Sequence, residues 1–261
     1  MNFKNTQYLS RIKLLNIYYK ANAGHIGSSL SCIDIIISLF KIKSTNERVI
    51  LSKGHAAAAL YVILNNTGEI SDDVLDTFYK NGTKLSAHPS ANSFPNIPFA
   101  LGSLGHGFPI GCGIAHADKI LMNNKMTFIL MSDGETNEGT TWEAAHYAVS
   151  KKLDNLLIII DKNKLQGFGR TIDILGDTSD KRKWESIGFD VVELDGHNID
   201  LILEEINKLI SISKKPKLVI ANTIKGKGVD FMEDKLEWHY LPMNEEQYSN
   251  ALLSLKNNYN A

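Results

Sequence analysis

Two segments of this sequence pass abruptly from an apolar run to oxygen-bearing side chains. They are residues 128–134 (FILMSDG) and 156–163 (LLIIIDKN), so Asp133 and Asn163 stand thirty positions apart. Ligands of parallel α/β sheets bind beyond the carboxyl ends of the strands. If these runs are neighbouring strands, both side chains face one hard cation, with a main-chain carbonyl as a further ligand. Gly134 would let the backbone approach an anion closely. The sequence therefore predicts a magnesium diphosphate site.

The elements that would position this site alternate between strand and helix. Apolar and β-branched runs predict strands at residues 49–51, 126–132, 156–161, 189–194 and 218–223. Helical patterns occupy residues 6–21, 30–40, 71–80, 138–151, 180–187, 198–213 and 244–255, with further helices after His55 and around Gly111. This spacing predicts an α/β fold with a mostly parallel sheet and helices on both faces. The long segment 81–109, rich in Gly, Pro, Asn and Ser, predicts a functional loop.

Length and composition are those of an ordinary globular chain. The 261 residues are compatible with one domain over residues 1–261, with a C-terminal extension from about residue 224. The net charge of −1 favours neither nucleic acid nor an anionic membrane as a partner. No apolar run approaches the roughly 20 residues of a membrane span, and no signal peptide is recognisable. Cys32 and Cys112 stand in apolar surroundings typical of reduced core thiols, so we expect a cytoplasmic protein.

The residues around the two strand ends resemble a known cofactor motif. Residues 132–144 (SDGETNEGTTWEA), followed by 152–156 (KLDNL) and 161–163 (DKN), resemble the thiamine diphosphate motif of transketolases. The resemblance is to the N-terminal subunit of transketolases that are split over two chains. Further matches occur in the family's order at residues 23–28 (AGHIGS), 51–56 (LSKGHA), 102–105 (GSLG), 223–228 (TIKGKG), 231–234 (FMED) and 238–239 (WH).

The resemblance implies a role for each residue of the cofactor site. Asp133 and Asn163 would be the side-chain ligands of Mg²⁺, and Leu165 would offer its carbonyl. The amide of Gly134 would bind the diphosphate of thiamine diphosphate. The remaining cofactor-binding residues lie in the other motifs: Gly102 and Leu104 beside the thiazolium ring, Lys225 near the phosphates, and His55 and His239 towards the diphosphate.

Histidines form a second group of candidates. The resemblance places His25, His88 and His239 along the donor-sugar channel, where they would bind hydroxyls or the developing alkoxide as catalytic residues. Imidazole suits this work because it can donate, accept and exchange protons near neutral pH. Three other histidines are expected to be structural, and they are His116, His146 and His197.

Acidic residues and departures from the family pattern complete the candidates. Glu138 matches a carboxylate at the subunit interface of the family. For Glu143, an ordinary solvated helix residue is as good an explanation as a functional role. Family residues are replaced at five positions, which are Leu101, Ser132, His106, Phe168 and Tyr240. Four of these replacements affect the expected cofactor and substrate sites, and they are Ser132, His106, Phe168 and Tyr240. We expect Tyr240 and His106 to reshape the substrate channel.

The chain is too short for a whole transketolase. The family binds its cofactor between a diphosphate-binding domain and an aminopyrimidine-binding domain, and 261 residues accommodate only the first. The resemblance therefore implies that a separate C-terminal subunit joins this chain in a heterotetramer with two copies of each. It also implies a sugar or sugar phosphate substrate. Two alternatives stay open: another thiamine diphosphate enzyme, such as a deoxyxylulose phosphate synthase or keto-acid dehydrogenase component, and a regulatory subunit without cofactor.

Overall fold

A five-stranded parallel sheet forms the centre of the molecule in a computed structural model that describes residues 3–259. The strands are β1 (Arg48–Leu51), β2 (Thr127–Ser132), β3 (Leu156–Lys162), β4 (Asp190–Asp195) and β5 (Lys217–Asn222). Their order across the sheet is β1-β2-β3-β5-β4, and every neighbouring pair is parallel. The predicted α/β class and parallel sheet are confirmed.

Helices cover both faces of the sheet because successive strand side chains point to opposite faces. Phe128, Leu130, Leu157 and Ile159 belong to one buried core. The helices that share it are α1 (Lys4–Ala21), α2 (Ile26–Ile42), α3 (Ala57–Asn66), α9 (Ile199–Ile212) and α10 (Glu245–Tyr259). The near-continuous apolar composition of the central strands follows from this two-sided burial.

The opposite face is covered by a smaller group of helices. Ile129, Met131, Ile158 and Ile160 point into this second core. Its helices are α5 (Gly107–Ile120), α6 (Gly139–Ser150) and α8 (Lys181–Ile187). Gly111 allows α5 to approach β2 closely, since a Cβ there would collide with the Ile129 side chain. The sheet is thereby buried on both sides, and its carboxyl edge remains for ligands.

Several predicted boundaries were wrong. The helix predicted at residues 71–80 is a single turn, α4 (Asp72–Leu75), because the chain reverses at Tyr79 with φ 64° and the Tyr79 amide donates to Leu85 O at 2.9 Å. α2 begins at Ile26 rather than residue 30. The short helix α7 (Thr171–Leu175) was not predicted.

Two composition-based expectations concern the cysteines and the membrane. Cys32 and Cys112 are free and buried, as predicted. Within residues 3–259, none of the helices combines the length and apolarity needed to cross a membrane.

Candidate cofactor and substrate site

The two predicted strand ends are neighbours in the structure. β2 pairs with β3 in a register that aligns Ser132 with Asp161, and the amide of Asp133 donates to Asp161 O at 3.2 Å. Asp133 and Asn163 therefore follow the carboxyl ends of adjacent parallel strands. This is the edge at which ligands of such sheets bind.

Asp133 is a buried carboxylate held by neutral donors. Its Oδ1 accepts from Gly134 N at 2.9 Å, and its Oδ2 accepts from Lys164 N at 2.7 Å and Thr171 Oγ1 at 3.0 Å. Among residues 3–259 no cation forms an ion pair with it. Burial, together with the charge of Asp161, raises the pKa of Asp133 to about 6. A bound cation would relieve both effects.

Asp161 is a buried charge that connects several segments around the site, a role that the sequence does not indicate. It forms a fully buried ion pair with Lys53, and it accepts hydrogen bonds from Thr223 Oγ1 and from Ser31 Oγ at 2.7 Å. Asn163 Nδ2 donates weakly to the same carboxylate at 3.3 Å. Although burial alone would raise it, Lys53 and these hydrogen bonds hold the pKa of Asp161 below its usual value. Four segments of the chain are thereby joined at one charge.

The segment after β3 forms one wall of a cavity of about 260 Å³. Asn163, Leu165 and Gln166 line it together with Gly134. A Cβ at Gly134 would lie 2.8 Å from Gln166 Cγ, so only glycine fits there without displacing the neighbouring side chain. Gln166 Nε2 is buried and has no hydrogen-bond partner within the part of the chain that the structure describes. An acceptor in the cavity would satisfy this amide.

Four histidines also line this cavity. The ring centroid of His25 lies 5.7 Å from that of His55, 5.8 Å from that of His88 and 5.2 Å from that of His239. These residues come from three motifs and one loop that are far apart in sequence. We call them the histidine cluster. The structure brings together all four histidines that the resemblance places at the site.

The histidine cluster is neutral near pH 7. Burial, with His88 and Lys225 nearby, lowers the pKa of His25 to about 4. Burial and then Lys225 lower the pKa of His239 to about 3, and burial also lowers the pKa values of His55 and His88. A neutral imidazole has one donor and one acceptor, which suits a hydroxyl-rich ligand.

Lys225 carries the positive charge beside this cluster. Its side chain is buried, and Nζ lies 2.8 Å from His239 Nδ1. Burial and the nearby Lys53 lower the pKa of Lys225 to about 8, so the ammonium form predominates at pH 7. Because an ammonium can only donate, His239 Nδ1 is the acceptor and its ring proton is on Nε2.

A buried glutamate positions the loop at residues 102–105. Glu135 Oε1 accepts from Gly105 N at 2.9 Å and from Ser52 Oγ, and Oε2 accepts from Ser132 N at 3.4 Å. Burial raises the pKa of Glu135 to about 7 despite these hydrogen bonds. Gly102 and Leu104 of this loop line the cavity. Nothing in the sequence distinguished Glu135 from a solvated glutamate.

Other candidates lie away from the histidine cluster. His116 bonds to the Tyr147 hydroxyl at 2.6 Å on the surface, and His146 and Glu143 are exposed. His197 is partly buried and contacts Asp34.

Asp133 itself lines a separate cavity of about 390 Å³ rather than the one with the histidines.

Comparison with known proteins decides the family. Residues 4–258 match the model of the family described as transketolase, thiamine diphosphate binding domain. The chain belongs to the transketolase family.

Relatives of similar length are subunits of transketolases. The chain is 40% identical over 253 residues to a subunit of the apulose-4-phosphate transketolase from Phocaeicola vulgatus, covering 93% of this chain and 90% of that protein. It is 35% identical over 249 residues to the 6-deoxy-6-sulfo-D-fructose transketolase subunit SqwG from Clostridium sp., covering 91% and 90%. These matches support the predicted correspondence to one subunit of a split transketolase.

A solved transketolase shares the fold over the whole chain. The structure from Campylobacter jejuni superposes with a TM-score of 0.89 at 28% identity, and the match covers 100% of this chain. The match covers only 43% of the Campylobacter chain. The chain therefore spans about two fifths of that transketolase.

Proposed function

We propose that this chain is the N-terminal, cofactor-binding subunit of a two-chain transketolase. The enzyme would transfer a two-carbon ketol unit from a ketose donor to an aldose acceptor. One observation carries the proposal: Asp133, Gly134 and Asn163 meet at the carboxyl edge of the sheet, beside a cavity lined by four neutral histidines. The chemistry of this edge suits a metal diphosphate, and that of the cavity suits a sugar.

The residues at the strand ends fit thiamine diphosphate with Mg²⁺. Asp133 is a buried carboxylate without a cationic partner in residues 3–259, and oxygen ligands such as carboxylate, amide and carbonyl groups are those that Mg²⁺ binds. Asn163 Oδ1 and Leu165 O would complete the protein's share, while Gln166 Nε2 would donate to the diphosphate. Gly134 N would donate to it as well, in place of its hydrogen bond to Asp133 Oδ1. When bound, the cofactor supplies a nucleophilic thiazolium carbon that accepts the ketol unit.

The histidine cluster would orient the sugar and move its protons. His239 presents Nε2–H to the cavity because Lys225 occupies Nδ1. We assign His25, His88 and His239 to hydrogen bonds with donor hydroxyls and the alkoxide that develops from the donor carbonyl. His55 would approach the diphosphate end of the cofactor. Leu104 and Gly102 would contact the cofactor ring from the loop that Glu135 holds.

The proposed donor is an anionic ketose. The names of the relatives include a phosphorylated and a sulfonated ketose. In residues 3–259, however, no lysine or arginine lines the cavity with the four histidines or the adjoining cavity of about 180 Å³. The anionic end would therefore be bound by the partner subunit. That partner would also supply the aminopyrimidine-binding domain, in a cytoplasmic heterotetramer.

A calorimetric titration tests the cofactor part of the proposal. Thiamine diphosphate is titrated into the purified chain with Mg²⁺, with EDTA, and with the partner subunit present. We expect binding that requires Mg²⁺ and tightens with the partner. Absence of binding in every condition would support a regulatory subunit without cofactor instead.

Lys225 makes the affinity for the diphosphate depend on pH. Because its pKa is about 8, the ammonium is lost as pH rises through 8, and with it the attraction for an anion. We expect the Kd of thiamine diphosphate to weaken about tenfold between pH 7 and pH 9. Lys225→Met should remove this pH dependence. Lys227→Met should keep it, because the native Lys227 ammonium pairs with Glu233 at 3.1 Å. If the Kd of Lys225→Met changed with pH as that of the native chain does, Lys225 would not be the group that causes the pH dependence.

Tyr240 is expected to limit the size of the donor. It lines both the cavity with the four histidines and the adjoining cavity, and its hydroxyl donates to Gly167 O at 2.7 Å. Tyr240→Gly removes the ring between the two cavities. The ratio of kcat/KM for a seven-carbon over a five-carbon ketose phosphate should rise about tenfold. Tyr240→Phe keeps the ring and should leave the ratio near that of the native enzyme; equal ratios in all three proteins would contradict this role.

A further inference from the structure

We propose that His197 is a positioning residue that holds the loop of residues 223–228, here called the Lys225 loop, against the cofactor site. On sequence grounds, His197 is expected to be purely structural. Its ring instead lies between a buried carboxylate and the backbone of this loop. The consequence for the ligand at Lys225 rests on the proposed function, whereas the contact itself does not.

The two hydrogen bonds of the imidazole define its protonation. Ile224 N donates to His197 Nε2 at 2.9 Å, and a backbone N–H can only donate, so Nε2 carries no proton. The ring proton is therefore on Nδ1, which lies 2.9 Å from Asp34 Oδ2. Asp34 thus selects the tautomer that can accept from the loop. A ring without nitrogen would leave the Ile224 amide without its acceptor, whereas Asp34 would keep the two hydrogen bonds from Arg11.

Asp34 is held by a second buried group that also reaches the loop. Arg11 donates to the two oxygens of Asp34 at 2.7 and 2.6 Å, and both side chains are fully buried. Arg11 Nε donates to Lys227 O at 3.1 Å. The residues on both sides of Lys225 and Gly226 are therefore tied to one carboxylate, Ile224 through His197 and Lys227 through Arg11.

The remaining contacts of the loop direct Lys225 into the site. Gly226 N donates to Gly27 O at 3.0 Å, next to the start of α2, and Asp234 N donates to Lys225 O at 3.0 Å. The Lys225 side chain then ends 2.8 Å from His239 Nδ1. A shift of Ile224 would move the adjacent lysine away from His239. His197 therefore acts on the site through the backbone, without touching it.

The wild-type chain allows the first test. Nitrogen-15 NMR of its histidines at neutral pH should show His197 with the proton on Nδ1 and a bare Nε2. Amide exchange should show Ile224 protected. A proton on Nε2 would overturn the proposal, whatever any variant does.

Two variants give the second test, because they separate the imidazole's hydrogen bonds from its volume. His197→Phe keeps a ring but no donor or acceptor, whereas His197→Gln keeps one of each. We expect Ile224 to exchange at least tenfold faster in His197→Phe, with partial recovery in His197→Gln. The Gly196 amide, which donates to Asn222 O at 2.8 Å, should exchange unchanged in both. Unaltered Ile224 exchange in a folded His197→Phe would overturn the proposal.

Titration with thiamine diphosphate and Mg²⁺ connects the loop to the ligand. The Kd should weaken about tenfold in His197→Phe and recover in His197→Gln. Faster Ile224 exchange with an unchanged Kd would refute the positioning of Lys225. If the wild-type chain binds no thiamine diphosphate, the proposed function fails, while the exchange and NMR results still decide the contact. Should His197→Phe not fold, the NMR result and His197→Gln decide.

Discussion

Asp133→Ala is expected to weaken Mg²⁺-dependent binding of thiamine diphosphate by at least about 100-fold. Residues that merely orient a metal ligand contribute about 10–100-fold to metal affinity, so loss of a ligand should cost no less. Asp133 is also a buried carboxylate without a cationic partner within residues 3–259, and its pKa is raised to about 6. The measurement is calorimetric titration with thiamine diphosphate at fixed Mg²⁺, with the partner subunit present.

Two further variants make the Asp133 result specific. Asp133→Asn keeps the shape and one oxygen but loses the charge, so it should also bind weakly while remaining folded. Asp173→Ala removes an exposed aspartate of the nearby helix α7 and should bind as the native protein does. Native affinity in Asp133→Ala would remove Asp133 from the site.

Lys53→Met is expected to lower the free energy of unfolding by about 3–5 kcal/mol. Lys53 and Asp161 form an ion pair in which both side chains are fully buried. Removing the lysine leaves the carboxylate charge buried without its cation, where only hydroxyl and amide donors remain. Urea unfolding of the native and variant chains measures the loss.

A surface pair provides the control for Lys53. Lys20 and Asp76 are 2.8 Å apart with side chains that are 55% and 52% exposed. Lys20→Met should change the unfolding free energy by less than about 1 kcal/mol, because exposed ion pairs are largely screened by water. The double variant Lys53→Met/Asp161→Asn should recover part of the loss. A Lys53→Met protein as stable as Lys20→Met would contradict the buried pair's role.

The parts of the fold that could be predicted were those in which local pattern and burial agree. Both strands of the site are apolar runs that end in polar residues, and two-sided burial requires such runs in a parallel sheet. Asp133 and Asn163 were therefore recognisable, and the spaced motifs identified the histidines. The helix at residues 71–80 was predicted too long. Its polar start is typical of a helix, whereas the reversal at Tyr79 depends on a hydrogen bond to Leu85.

The charges that organise the site could not be predicted from sequence. Lys53, Asp161 and Glu135 belong to residue types that usually lie at the surface, and only their tertiary partners explain their burial. Two further features likewise depend on segments far apart in the chain. They are the side-chain Nε2 of Gln166, which has no hydrogen-bond partner within residues 3–259, and the two hydrogen bonds of His197. The roles assigned to Asp133, Asn163, Leu165 and the histidines remain predictions, and the Asp133 variants above test the first of them.

Ketol transfer with and without the partner subunit tests the central claim most directly. The chain alone, the partner alone and an equimolar mixture are assayed with a ketose phosphate donor and an aldose acceptor, each with and without thiamine diphosphate and Mg²⁺. We predict activity only in the mixture, and only with both the cofactor and the ion. Full activity from a homogeneous sample of this chain, or from the mixture without thiamine diphosphate, would contradict the assignment of half a cofactor site to this chain.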